Sequence, residues 1–339
     1  MILDPFDLTQ LSFAVVVSIV FILFIRSKSD RRKALFKKIP GPYRYPFFGT
    51  SVELNLPNEA YYPLIFKLKE TFGDRYILYA CGFCYVVLSN PDDIEKLLTS
   101  SIHITKGQTY NMISPWLGEG LLTSTGAKWQ ARRKLLTPSF HFRILEDFLI
   151  TFNEQAEILI DILRTDLRDK QEKDICKYIT RCTLDIIGET AMGKKLNSQR
   201  EIDSAYVKAV NKACEIQFHR TVKPLIWPDF IFYLTPYGRK YKAALKALHD
   251  FTDNVIREKK ASRNMVADQE KPLSDSDEIY WHGKRRLAFL DLLLDAQDNS
   301  DDVKMSDLDI REEVDTFMFE GHDTTSASLN WTIFLLACN

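Results

Sequence analysis

The sequence lacks an excess of charge of either sign, since 45 lysines and arginines stand against 46 aspartates and glutamates. A protein that binds nucleic acid through phosphates needs a basic face, so nucleic acid is not an expected partner. Glycine and proline are scarce, with 13 of each among 339 residues, and 45% of the residues are hydrophobic. This composition excludes a disordered or low-complexity chain and provides apolar material for a large core.

Cysteine is sparse as well, with six residues spread through the chain. That number is too small for the disulfide framework of a small secreted protein, which favours a reduced, cytosolic globular part. Only Cys81 and Cys84 have the spacing of a metal or redox pair, and no second pair accompanies them, whereas structural zinc needs four ligands. The histidines also lack metal-ligand spacing. We therefore expect no metal site built from this chain alone.

The longest apolar run lies at the amino terminus. Residues 8–25 are about as long as a helix that crosses a bilayer. Aspartates precede this run and seven basic residues follow it, which predicts that the rest of the chain stays on the cytoplasmic side. The start has neither the basic residues nor the small-residue cleavage site of a signal peptide. We expect residues 1–38 to be a membrane anchor with a basic flank, with an apolar core helix as the alternative, and residues 39–339 to be a globular domain.

Hydrophobic periodicity in the globular part favours helices. Apolar residues at helical spacing predict helices over residues 58–72, 144–163, 175–192, 202–218, 238–260 and 287–298, and a capped helix over residues 90–98. Aromatic and β-branched residues predict a hairpin with strands near 76–79 and 85–88. We expect residues 103–125 to form a long loop and residues 262–284 an exposed connector. The predicted fold class is mainly α with a small β-sheet.

The last predicted helix begins near Ser306 and continues to Asn339 without a helix-ending signal. Its middle, Glu320–Thr325, is poorly suited to a helix, because glycine costs about 1 kcal/mol relative to alanine and two threonines lower helix propensity further. Close approach of a ligand to the helix would explain such a segment. A packing notch against another helix would explain it equally well.

Two segments carry a resemblance to a known family. Residues 313–327 resemble the central oxygen-binding helix of cytochrome P-450, the haem-thiolate monooxygenases, and in particular the family-four branch with its fatty-acid ω-hydroxylases and insect enzymes. Residues 126–142 resemble the family's haem-edge helix, in which Trp129 and Arg133 would contact the haem propionates. The resemblance extends from about residue 36 to the end. It implies the cytochrome P-450 fold, truncated within the long central helix, with an amino-terminal transmembrane helix.

The resemblance assigns roles to individual residues of the central helix. Asp323 and Thr324 match the acid and the alcohol that relay protons, so they are the predicted catalytic residues. Glu320 matches a glutamate that can be esterified to a haem methyl group, and Gly321 would leave room for dioxygen and the porphyrin. Core packing is an equal alternative for each candidate residue of an apolar substrate wall. These candidates are Trp116, Leu117, Leu121 and Phe317.

The axial thiolate of the family has no counterpart in this sequence. The family binds haem iron through a cysteine that follows a Phe-x-x-Gly pattern, and this pattern is absent. Cys338 lies only fourteen residues after Thr324, within an apolar helical run. The sequence therefore contains no metal ligand, and we expect it to be an incomplete part of the enzyme.

The resemblance implies a monooxygenase with haem b that inserts one oxygen atom into a C–H bond of a lipophilic substrate. A fatty acid, a terpenoid hormone or a xenobiotic would suit it. The electrons would come from NADPH through NADPH-cytochrome reductase at the endoplasmic reticulum membrane, with the globular part in the cytosol. An inert truncated isoform and a membrane-tethered lipophile-binding protein without haem are the alternatives.

Overall fold

The computed structural model describes residues 38–46, 48–80, 83–140, 142–168, 171–201, 204–269, 289–299 and 305–339, together with residues 16, 17, 19, 20 and 36. The chain divides into two compact units. The first comprises Met1–His103 and Phe218–Thr235, and the second comprises Ile104–Gln217 and Pro236–Asn339. Most of the predicted anchor lies outside the described residues. None of the helices within the described ranges is long and apolar enough to cross a membrane.

Helices dominate the described parts of both units. In chain order they are α1 (Ser51–Leu54), α2 (Asn58–Phe72), α3 (Pro91–Leu98), α4 (Ser114–Leu117), α5 (Gly126–Leu136), α6 (Phe142–Asp166), α7 (Ile175–Met192), α8 (Ala205–Thr221), α9 (Asp229–Leu234), α10 (Pro236–Gln269), α11 (Phe289–Asn299) and α12 (Asp307–Cys338). The strands are β1 (Arg75–Ala80) and β2 (Phe83–Leu88). The predicted fold class, mainly α with a small sheet, is confirmed.

The predicted hairpin is the sheet of the first unit. Strands β1 and β2 are antiparallel, with Tyr76 opposite Val87 and Leu78 opposite Tyr85. Tyr76 and Leu78 point to the same side of the strand, since alternate residues share a face, and both pack against Leu68 of α2. The hairpin is therefore stabilised by one apolar face that α2 covers. Cys81, of the predicted cysteine pair, lies outside the described residues.

Helix α12 is the centre of the second unit. It packs along α7 and also contacts α4, α10 and α11. Ile310, Val314 and Met318 lie four residues apart and are fully buried, so they form an apolar stripe along α12. The predicted start is also confirmed, because Ser306 caps the helix and exchanges hydrogen bonds with Asp309 in a capping box.

Two predictions about connections are wrong. The segment predicted as a loop, residues 103–125, contains α4 and a 3₁₀ turn at Gln108–Met112. The predicted connector begins too early, because α10 continues to Gln269. Its extension is held by tertiary contact, since Arg263 donates a hydrogen bond to the Asp291 carbonyl of α11 at 3.0 Å. Polar composition alone does not reveal such a contact.

Candidate functional site

The unfavourable segment of α12 is helical in the structure, and its threonines are bonded to the preceding turn. Thr324 Oγ1 donates a hydrogen bond to the Glu320 carbonyl at 2.7 Å, and Thr325 Oγ1 donates one to the Gly321 carbonyl at 2.9 Å. Thr324 is exposed, whereas Glu320 and Asp323 are half-buried. Residues three and four apart share a helical face. The two predicted catalytic residues and Glu320 therefore lie together on the less buried side of α12.

The Glu320 carboxylate is half-buried and has no partner among the residues that the structure describes. Burial raises the pKa of Glu320, and the nearby negative charge of Asp323 raises this pKa further. Among the described residues, no group forms a hydrogen bond or an ion pair with this carboxylate. Buried polar groups in folded proteins are usually paired, so this position can accept a partner that is not part of the described chain.

Gly321 lies on a different face of α12, against α7. A Cβ atom at this position would lie 2.6 Å from Ile187 Cδ1 and 2.8 Å from Ile187 Cγ1, which is closer than two carbon atoms approach. The missing side chain therefore lets α7 pack tightly against α12. This close packing is the notch against another helix that is one of the two explanations given above for the segment Glu320–Thr325. A role for Gly321 beside dioxygen and porphyrin stays a prediction.

An apolar cavity of about 390 Å³ lies along the face of α12 that contains Gly321. The residues that line it include Phe140, Phe148, Ile187, Phe289, Gly321 and Thr325. Phe317 also lines it. The ring centroid of Phe317 lies 5.6 Å from that of Phe140 and 4.1 Å from that of Phe289. The lining residues do not include Glu320 or Thr324, which lie on the adjacent face. The cavity is therefore separate from the predicted catalytic residues.

Two of the other predicted wall residues, Trp116 and Leu117, are packed in the core. Trp116 and Leu117, both in α4, are only 2% and 0% exposed, and the Trp116 ring lies 4.5 Å from the ring of Phe319. Leu121 is half-buried beyond the end of α4. Core packing, the alternative for each residue, describes Trp116 and Leu117 in this structure. Their contact with a substrate stays a prediction.

The two residues of the predicted haem edge lie one turn apart on α5. Trp129 is half-buried and Arg133 is exposed. Within the described parts of the chain, the Arg133 guanidinium has no carboxylate at ion-pair distance. This arrangement presents an aromatic ring and an unpaired positive charge from the same helix, which suits an anionic group on a flat ligand.

The neighbouring residue, Arg132, points into the protein and was not predicted as important. Its side chain is 6% exposed and forms an ion pair with Asp309, and its Nη1 lies 3.7 Å from Glu313 Oε1. One turn earlier, Lys128 Nζ lies 3.4 Å from Glu312 Oε2. Bases four residues apart on α5 thus meet acids three and four residues apart on α12. This matching spacing of bases and acids is visible in the sequence and could have indicated the cluster.

Glu313 is the most deeply buried acid of the cluster. Its carboxylate accepts a hydrogen bond from the backbone N–H of Leu121 at 3.1 Å. Burial raises the pKa of Glu313 to about 7, although this hydrogen bond and the charge of Arg132 act in the opposite direction. Near neutral pH, the Glu313 carboxyl is therefore partly protonated.

A second buried acid, Asp315, faces α10. Burial raises the pKa of Asp315 well above its usual range, against the lowering effect of a hydrogen bond with Thr252. His249 Nε2 lies 3.7 Å from Asp315 Oδ2 and 2.9 Å from the Trp116 carbonyl oxygen. The polar residues of α12 therefore connect this helix to α10 and to α4 as well as to α5.

The remaining candidates give no metal centre. His322 is buried, and its Nδ1 lies 2.6 Å from the Met318 carbonyl oxygen. Burial lowers the pKa of His322, so it is a neutral core residue of α12. In the part of the chain that the structure describes, no three His, Cys, Asp or Glu side chains are placed to hold a metal ion.

Comparison with known proteins identifies relatives along most of the chain. The sequence profile of the family described as Cytochrome P450 matches residues 39–339. Cytochrome P450 4c3 of Drosophila melanogaster is 39% identical over 327 residues, a match that covers 95% of this chain and 61% of that protein. Cytochrome P450 4c21 of Blattella germanica is 41% identical, with 96% and 64% covered. Human cytochrome P450 4V2 is 42% identical, with 95% and 61% covered.

The chain spans about three fifths of the length of these curated relatives. The family profile extends over most of the chain and includes both α5 and α12, the helices that carry the candidate residues. The relatives named above all bear family-4 names. The chain therefore belongs to the cytochrome P450 family, within family 4.

Proposed function

We propose that the protein containing this chain is a haem-thiolate monooxygenase that inserts one atom of dioxygen into a C–H bond of a lipophilic substrate. The observation that carries the proposal is the less buried face of α12, where Glu320, Asp323 and Thr324 lie together. Family membership supports the same reaction. A fatty acid, a terpenoid hormone or a xenobiotic is the proposed substrate class, and NADPH-cytochrome reductase is the proposed electron donor.

The described residues fit a haem group at two points. The Glu320 carboxylate and the Arg133 guanidinium lack partners among the described residues, and they lie on α12 and α5 respectively. We assign Arg133, with Trp129 beside it, to the propionates, since a guanidinium binds carboxylates in a fixed geometry. Glu320 would lie against the macrocycle and is the proposed site of an ester to a haem methyl group. The bound haem would supply the oxygen and electron chemistry, with its thiolate outside these 339 residues.

The residues of α12 would hold and move protons. The Thr324 hydroxyl donates its hydrogen to the Glu320 carbonyl, so its oxygen can accept a further hydrogen bond on the exposed side. Asp323 precedes it on the same half-buried face and is the proposed proton source. A positioned acid and alcohol of this kind accelerate proton transfer by about two to four orders of magnitude.

The proposed membrane anchor is consistent with a lipophilic substrate. Residues 1–38 would be the anchor in the endoplasmic reticulum membrane, and residues 39–339 would belong to the cytosolic haem domain. A substrate dissolved in the bilayer would then reach the domain without crossing water. The proposal needs no nucleic-acid partner.

Spectroscopy tests the proposed function. The protein expressed from its complete reading frame with added haem precursor should bind haem and show a thiolate-type Soret shift when it is reduced under carbon monoxide. A colourless protein that holds no iron would contradict the proposal. If the colourless protein still retained a lipophile, a membrane-tethered lipophile-binding protein would be the better description of its function.

A second test addresses the proton relay. Thr324→Ala should lower the product formed per NADPH consumed by at least about tenfold, with the missing reducing equivalents recovered as hydrogen peroxide, because the relaying hydroxyl is lost. Thr325→Ala is the matched control, since Thr325 makes the same type of bond to the preceding turn but lines the apolar cavity. Equal coupling in both variants would remove Thr324 from the assigned role.

A further inference from the structure

The segment Gly118–Leu121 is docked directly on the first turns of α12. A Cβ atom at Gly120 would lie 2.7 Å from the Glu312 carbonyl oxygen, and one at Gly118 would lie 2.7 Å from Glu312 Cδ. Gly120 meets backbone atoms of α12, so it has no room for a side chain because the two backbones approach closely. Gly118 meets the movable side chain of Glu312, and its φ of +56° favours glycine there.

Glu313 forms the polar bond that holds this segment. Its side chain is completely buried, and its Oε2 accepts the Leu121 N–H at 3.1 Å. Leu121 lies in the turn between α4 and α5, so no helix provides its amide with an acceptor. A buried amide without an acceptor carries a large desolvation cost. The Glu313 oxygen is therefore important for the docked position of the segment.

The charged groups and the hydrogen-bond donor around Glu313 come from three directions. Arg132 and Lys128 face it from α5, the Leu121 N–H faces it from the docked segment, and Asp309 and Glu312 are on its own helix. Lys128 also pairs with the exposed Glu119 at 2.9 Å. These contacts join α5 and the docked segment to the same two turns of α12.

The joined elements also carry the proposed haem contacts. Arg132 directly precedes Arg133, and Lys128 directly precedes Trp129, so each base that contacts α12 is followed by a residue that points about 100° further around the helix. The cluster therefore links α5 to α12 through side-chain contacts. The position of α5 in turn affects the distance between Arg133 and Glu320.

We propose that Glu313 is a positioning residue that anchors the segment Gly118–Leu121 on α12 and, with Arg132, sets the position of the haem-edge helix α5. The anchoring part rests on the geometry alone, and the positioning part rests on the proposed function. Glu313 touches neither reacting atoms nor cofactor in this assignment and acts through Leu121 and Arg132.

Hydrogen exchange of the protein expressed from its complete reading frame tests the anchor. Glu313→Leu removes the acceptor, and Glu313→Asp withdraws it by about 1.5 Å, one bond length. Both should speed exchange of the Leu121 amide by about tenfold or more, whereas Glu313→Gln should preserve its protection because the amide oxygen can accept the same bond. If Glu313→Leu does not fold, Glu313→Asp alone decides.

Haem retention tests the positioning. Glu313→Leu and Glu313→Asp should lose haem several-fold faster than the wild type during transfer to apomyoglobin, and Glu313→Gln should restore wild-type retention. Glu119→Ala is the control, because it removes an exposed ion pair from the same segment. It should change neither exchange nor retention.

The possible outcomes separate the two proposals. Unchanged exchange at Leu121 in Glu313→Leu and Glu313→Asp would overturn the anchor. Faster exchange with wild-type haem retention would overturn the positioning role. If the wild type bound no haem but the Glu313 variants still exchanged the Leu121 amide faster than the wild type, the proposed function would be refuted. The anchor would then stand.

Discussion

Arg132→Ala should lower the free energy of unfolding by about 3–5 kcal/mol, which is the cost of removing one partner of a buried ion pair. The substitution leaves Glu313, which is completely buried, and Asp309, which is 22% exposed in its side chain, without the guanidinium that faces both. Asp309 keeps Lys128 Nζ at 3.7 Å, but the buried Glu313 must either take up a proton or stay charged without the guanidinium, and both cost free energy. Urea titration followed by tryptophan fluorescence would measure the difference.

Lys134→Ala is the matched control for this expectation. Lys134 is also a base on α5, two residues after Arg132, but it is exposed. Its removal should change the free energy of unfolding by no more than about 0.5 kcal/mol. Equal losses in the two variants would show that charge on α5 as a whole matters, rather than the buried contacts of Arg132.

The second expected result is a pH-dependent stability difference between Glu313→Gln and the wild type. In an unfolded chain this carboxyl has an ordinary pKa of 4.5, whereas burial raises the pKa of Glu313 in the folded protein to about 7. Between these values the folded state holds the proton that the unfolded state has released. Wild-type stability therefore falls, through this group, as pH rises across that window and is constant above it.

Glutamine does not titrate, so Glu313→Gln lacks this loss. The stability of the variant relative to the wild type should increase by on the order of 3 kcal/mol between about pH 4.5 and about pH 8. Urea titrations at a series of pH values would measure the increase. Glu313→Leu should show the same slope with a lower stability throughout, because it also loses the bond to Leu121. A difference independent of pH would contradict the assigned pKa.

The elements that the sequence predicts correctly depend on local interactions. Asn90 caps α3 by accepting the Asp92 N–H at 2.9 Å, with Pro91 at the first helical position, and all three residues are adjacent. The alternation in β1 similarly places Tyr76 and Leu78 on one side. Boundaries fail where a distant partner decides them, as at Arg263, whose contact with α11 extends α10 into the predicted connector.

The candidate site shows the same division. Helical spacing alone places Glu320, Asp323 and Thr324 on one face of α12, as the structure has them. The same spacing cannot say that Gly321 packs against Ile187, because that contact joins helices far apart in the sequence. Nor does it place Trp116 in the core, where its ring meets Phe319.

The sequence by itself determined most of the long helices, the hairpin, the start of α12 and the family to which the chain belongs, because these are encoded by short-range patterns of residue type. Only the tertiary structure decided that Arg132 is buried while Arg133 is exposed, and that Glu313 loses its contact with water. Burial depends on which helices meet. Two neighbouring arginines on one helix therefore acquire different environments, and different consequences, only when α5 docks on α12.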